Sequence, residues 1–252
     1  MTLPKTPSFR LDGKRAFVPG GSRGIGLGCA VALAEQGAHV VIAARSDDQV
    51  AEAAKSLNDA GFSAEGMVLD ITDLDAVKAV MAEGDFDVLC NSAGVARHAP
   101  AMDVTAADYD FVMDLNVKAA FFLATEAARN MVKRGGGSII QISSQMGHVG
   151  GIDRTVYCGT KHAIEGFNKA MAIEWGADNI RVNSICPTFI RTPLTAATFA
   201  NPERLAWIMD KIKLPRVGEV EDIMGAVAFL ASDASSLITG TSILVDGGWT
   251  AG

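Results

Sequence analysis

The stretch that most limits how this chain can fold is Pro19-Gly20-Gly21-Ser22-Arg23-Gly24-Ile25-Gly26. It follows an apolar run, Arg15–Val18, and leads into the helical pattern Leu27–Gln36, which stops at Gly37. Strand, glycine loop and helix in this order form a turn that can wrap a phosphate. Gly20, Gly24 and Gly26 would permit a tight reversal, close backbone approach to a pyrophosphate and close helix–strand packing. The helix start offers free N–H groups and the positive end of its dipole, with Ser22, Arg23 and Ile25 in the same turn.

The rest of the chain alternates in kind. His39–Ala44 reads as a buried strand, Asp47–Asn58 as a polar helix, Ala64–Leu69 as a strand, and Leu74–Ala82 as a short helix capped by Asp73. Asp85–Cys90 reads as a strand, and Thr105–Lys133 as a long amphipathic helix broken in character near Asn116. Ser138–Ile142 is a strand, a helix carries on to about Trp175, and Ile180–Ile185 is a sixth strand. A looser segment, 188–215, reads as a mobile flap with short helices; helix Glu219–Ala231 and strand Ser242–Val245 close the chain. Such alternation predicts parallel strands joined by right-handed crossovers. The expectation is a single doubly wound, Rossmann-type α/β domain over residues 1–252, with about seven strands and no linker or repeat.

Composition excludes several classes. A net charge of −7, a pI near 5.1 and the lack of a basic stripe argue against nucleic acid as a partner. No apolar run reaches the ~18 residues a membrane span needs, and Met1–Arg10 lacks a signal-peptide core, so a cytoplasmic protein without membrane attachment is expected. Cys29, Cys90, Cys158 and Cys186 are scattered, and the four histidines show no metal spacing; structural thiols and no bound metal are expected.

The strand ends carry the polar chemistry. The second strand ends Ala43-Ala44-Arg45-Ser46, with no carboxylate before Asp47. A carboxylate there would hold a ribose 2′-hydroxyl and repel a 2′-phosphate, whereas the planar fork of Arg45, aided by Arg23, suits that phosphate. NADP(H) is favoured on this ground, with NAD(H) as the alternative. Asp70, beside Ile71, can accept from an adenine amino group, and the small residues of Asn91-Ser92-Ala93-Gly94 would let a flat ligand lie on backbone. Ser143-Ser144-Gln145 places hydroxyls where open α/β sheets bind ligands. Tyr157 and Lys161, four residues apart, share one helix face; an ammonium beside a phenol favours the phenolate and suits the pair to acid/base work.

Taken together, in this order and spacing, these motifs resemble the short-chain dehydrogenase/reductase family from about Arg10 to Gly248. The resemblance implies that Tyr157 exchanges a proton with the substrate oxygen. It implies that Lys161 tunes Tyr157 and holds the nicotinamide ribose, and that Asn116 links Lys161 to a proton relay. Ser144, thirteen residues before Tyr157, is chosen over Ser143 as the group that polarises the substrate oxygen. Pro187, Ile190 and Thr192 would lie near the nicotinamide. The chain departs from the family pattern at Pro19, where threonine is usual, at Ser92 for a second asparagine, at Thr188 for glycine, and in a short 73–85 segment. The resemblance also implies a homodimer or homotetramer built on the two long helices.

For substrate, Arg154, three residues before Tyr157, together with Gln145, His148 and Arg191, favours a small polar or anionic ketone, sugar or hydroxy acid. A 3-oxoacyl thioester is the alternative within the family. A serine hydrolase using Ser144 and Lys161 would lack the G-x-S-x-G elbow and leave the glycine loop without a role. A catalytically silent dinucleotide sensor would leave the Ser144/Tyr157/Lys161 set without one.

Overall fold

Period-two alternation decides how the strands are buried. In the computed structural model, which describes residues 1–252, Val40 and Ile42 enter one apolar cluster while Val41 and Ala43 enter another. Ala16 and Val18 likewise oppose Phe17, Ile140 opposes Ile139, and Ile185 joins the first cluster while Val182 joins the second. A sheet buried on both faces is the result. Its strands are β1 (Arg15–Pro19), β2 (His39–Ala44), β3 (Ser63–Val68), β4 (Val88–Asn91), β5 (Gly137–Ile142), β6 (Ile180–Pro187) and β7 (Ser242–Val245). All pair in parallel, in the order β3-β2-β1-β4-β5-β6-β7. The order reverses between β1 and β4, which opens a crevice at their C-terminal ends, where doubly wound sheets take ligands.

Helices α1 (Gly24–Glu35), α2 (Asp47–Asp59) and a later helix, Glu221–Ala231, cover the first face. On the second face lie α3 (Leu74–Glu83), α5 (Ala120–Arg134) and α6 (Thr155–Trp175), with α4 (Ala106–Met113) leading into α5 and packing on α6. The side chains of Asp73 and Thr105 cap α3 and α4 by accepting from Ala76 N and Asp108 N. Gly135, at φ +88°, ends α5 in the left-handed conformation. α1 starts at Gly24, three residues before the apolar pattern begins, because glycines carry no hydropathy signal. The expected long helix is continuous but changes type: Asp114–Ala119 is a π-turn between α4 and α5.

The segment 188–215 carries the short helices expected of it. It holds a 3₁₀ turn at Pro193–Thr195, α7 (Ala196–Phe199) and α8 (Pro202–Lys211). Ile208, Ile212 and Val217 anchor it against Phe189, Trp207 and Trp249. The Glu221–Ala231 helix is α9. No helix is long and apolar enough to cross a membrane.

Candidate active site

The glycine loop is held by close backbone packing. Gly20 sits at φ +73°, and a Cβ there would lie 2.7 Å from Ala93 N. At Gly26 a Cβ would come within 2.0 Å of Gly20 O, so the first turn of α1 can approach the loop only without a side chain. The neighbouring β4 loop is shaped by two asparagines. Asn91 accepts from Ala93 N at 3.1 Å and donates to Gln141 at 2.9 Å. Asn116 accepts from Val95 N at 2.9 Å and donates to Val95 O at 2.8 Å. The same amide reaches Thr160 Oγ1 at 3.3 Å, whose hydroxyl donates to Tyr157 O. Asn116 thus ties the loop to α6 from within the π-turn. A Cβ on Gly94 would fall 3.4 Å from Asn116 Oδ1 and 3.9 Å from Lys161 Nζ. The glycine leaves that space clear.

Beside the C-terminal end of β2 and the start of α1, Arg23 and Arg45 are exposed and have no carboxylate partner, and Ser22 Oγ reaches Gln49 at 3.4 Å. Burial opposes ionisation of Asp70, but hydrogen bonds from Thr72 N and Oγ1 and the charge of Arg45 outweigh it and hold the carboxyl below its usual range. Ile71 and Ile190 are buried, 4% and 2% exposed. Thr192, near Gly24, is pinned by Thr195 Oγ1, which accepts from Thr192 N. Pro187 ends β6, and the hydroxyl of Thr188 just beyond it is buried without a partner.

At the other end of the crevice lies the α6 pair. Lys161 is buried, donates to Ile142 O at 2.9 Å, and has its Nζ 5.6 Å from the Tyr157 ring centroid. Ser144 Oγ accepts from Met146 N at 3.1 Å, which leaves its own proton free to donate. Ser143, on the opposite side of the strand end, is buried with no hydrogen-bond partner.

Sequence reasoning missed His98, which adjoins Tyr157, and Arg204, whose charge acts on His98 and Arg154. The His98 ring meets Tyr157 edge-on at 6.1 Å, and His98 Nε2 lies 2.7 Å from Arg154 Nη1. Guanidinium can only donate, so Nε2 accepts and the imidazole is neutral. Desolvation, helped by the charges of Arg154 and Arg204, pushes His98 down to about 4, in agreement. Arg154 itself is lowered by desolvation, stacks over Phe189 at 5.3 Å, and feels the charge of Arg204 on α8. Neither arginine has a carboxylate partner. Of the other proposed substrate contacts, two pair elsewhere and one is buried. His148 turns its ring to Cys186 and Glu165, Arg191 pairs with Glu219 at 3.1 Å, and Gln145 is 1% exposed.

Residues 20–250 match the family described as Enoyl-(Acyl carrier protein) reductase. Galactitol 2-dehydrogenase of Rhizobium johnstonii is 40% identical over 251 residues, covering 96% of this chain and 97% of its own. Gluconate 5-dehydrogenase of Gluconobacter oxydans is 37% identical over 247 residues, covering 96% of each. A crystal structure of a gluconate 5-dehydrogenase from Burkholderia cenocepacia, in complex with NADP and tartrate, superposes with a TM-score of 0.94. It is 35% identical and covers 97% of this chain and 98% of that one. Likeness of this extent, on a sheet whose crevice suits a dinucleotide, makes the chain a member of the short-chain dehydrogenase/reductase family, an NAD(P)-dependent enzyme acting on CH–OH and C=O groups.

Proposed function

We propose that the chain interconverts a ketone and a secondary alcohol on a small sugar-derived or hydroxy acid, using NADP(H). The observation that carries this reading is the pair of guanidiniums, Arg154 and Arg204, grouped with neutral His98 beside Tyr157 and lacking carboxylate partners. A partly desolvated Arg154 without a carboxylate partner, with a second, exposed guanidinium on Arg204 close enough to act on it, suits a carboxylate substrate. The gluconate 5-dehydrogenase relatives, one of them complexed with tartrate, support the same class.

When bound, the nicotinamide supplies or takes up the hydride. Tyr157 then gives its hydroxyl proton to the substrate oxygen in reduction and takes it back in oxidation. Ser144 donates to that same oxygen as negative charge develops on it. Lys161, with one N–H committed to Ile142 O, has two left for the ribose hydroxyls. The free forks of Arg23 and Arg45 favour a 2′-phosphate. The enzyme is cytoplasmic and assembles as a homodimer or homotetramer, a reading supported by the exposed Phe111 and Phe122.

The test compares a carboxylated ketone with its neutral analogue. In Arg154→Ala, the kcat/KM ratio of the two should fall by about 10- to 100-fold, the value of one or two charged hydrogen bonds. An unchanged ratio would end the anionic-substrate reading without touching the family assignment. For the cofactor, Arg45→Asp should move the NADPH-over-NADH preference by a similar factor toward NADH. A wild type that prefers NADH would sink the role given to Arg45.

A further inference from the structure

On the far side of the β5 and β6 ends from Ser144, three donors of different chemistry converge. Cys186 turns its sulfur inward from β6, and Glu165 follows Lys161 by one turn on α6. His148 ends the 3₁₀ turn Gln145–Gly147, just after Ser144. The sulfur lies 3.5 Å from His148 Nε2 and 3.4 Å from Glu165 Oε1, while Nε2 lies 3.8 Å from Glu165 Oε2. Zinc bonds of about 2.3 Å to sulfur and about 2.0–2.1 Å to nitrogen and oxygen give tetrahedral edges of about 3.3–3.6 Å. The two separations from sulfur, 3.5 and 3.4 Å, already match within a few tenths of an ångström, and one donor atom from each of the three residues lies within 4.8 Å of the others.

We propose that His148, Glu165 and Cys186 form a zinc site whose fourth position is taken by water. Its surroundings meet the other requirements for such a site. Glu165 Oε2 accepts from the hydroxyls of Ser184, at 2.8 Å, and Ser242, so the carboxylate is oriented from behind. Ser143, buried and unpartnered, adjoins the thiol and can receive a bond from the bound water. Cys186 and Glu165 are 0% and 5% exposed, whereas the His148 side chain is 30% exposed and marks the way in. Mixed sulfur, nitrogen and oxygen donors select zinc over magnesium or calcium.

Burial, with the Glu165 carboxylate adding, pushes the Cys186 thiol up to about 12, so the metal-free protein holds it protonated. Zinc reverses that. The S–H bond breaks, the Zn–S bond forms on the electron pair left behind, and one proton leaves to solvent with no change of oxidation state. The ion would fasten together the elements that carry Ser144, Lys161 and Pro187. Its role is structural and stands independently of the substrate proposed above.

The experiment strips the full-length protein with chelator, adds zinc chloride, removes the excess by gel filtration and measures zinc per chain. About one ion per chain is expected, with a melting temperature several degrees above that of the stripped protein and about one proton released per zinc in calorimetry. Cys186→Ala and His148→Ala should each weaken binding by tenfold or more, while Cys158→Ala retains the ion. His148 is partly exposed, so His148→Ala provides the test even if Cys186→Ala fails to fold. Substoichiometric zinc in the wild type, or equal zinc in His148→Ala, would overturn the site and leave a metal-free hydrogen-bonded cluster.

Discussion

Tyr157→Phe is expected to lower both kcat and kcat/KM by about 10²–10⁴-fold, the usual worth of a positioned proton donor. The change deletes one oxygen and little else. Lys161 stays fixed by Ile142 O, the Thr160 hydroxyl still donates to the residue 157 carbonyl, and the ring still meets His98. Dinucleotide affinity, followed by fluorescence titration with NADPH, should therefore stay within about twofold, since no phosphate contact is altered. A loss confined to KM would mean that the hydroxyl merely binds substrate. Activity within tenfold of wild type would move the proton donor away from Tyr157 altogether.

The second large effect is on the fold. Gly20→Ala combines a left-handed backbone, φ +73°, with a collision against backbone atoms, the new Cβ lying 2.7–2.9 Å from Ala93 N, Ser92 C and Ala93 Cα. No flexible side chain is there to give way, so the β1 and β4 loops must separate. The expected cost is about 3–5 kcal/mol, read as a fall of about 2–4 °C in melting temperature per kcal/mol, along with weakened NADPH binding. Gly13→Ala separates the two causes. Gly13 has nearly the same φ, +75°, but nothing within 4 Å of its Cβ position, so it reports backbone strain alone, about 1 kcal/mol. Equal losses at the two positions would show that the contact with Ala93 is unimportant.

Much of this molecule is legible in the amino-acid sequence. Fully apolar strands such as Val40–Ala43 can only be buried on both faces, and the strand–glycine–helix order admits few other arrangements. The polar groups at strand ends are legible for the same reason, because the C-terminal edge of a parallel sheet is where they gather. His98 and Arg204 are not. They sit in a loop and on a short flap helix, where no periodicity relates them to Tyr157. His148 and Arg191 mislead in the opposite way. Each lies near a site residue in the chain, yet the backbone turns its side chain elsewhere. The Cys186–Glu165–His148 cluster is hidden because its members meet only after β5 and β6 pair and α6 packs over them.

The π-turn at Asp114–Ala119 reaches beyond Asn116. Hydrogen bonds that span five residues instead of four accommodate one residue more than an α-helix would, a rotation of about 100° between α4 and α5. α5 sends Leu123, Ala124, Ala127 and Met131 into the sheet, whereas α4 buries only Val112 and leaves Tyr109 and Phe111 exposed. One helical rod thus changes phase midway and serves two surfaces, so the two halves are free to diverge in sequence. Removing a single residue from the turn would bring them back into step and rotate one apolar face out of register with the sheet.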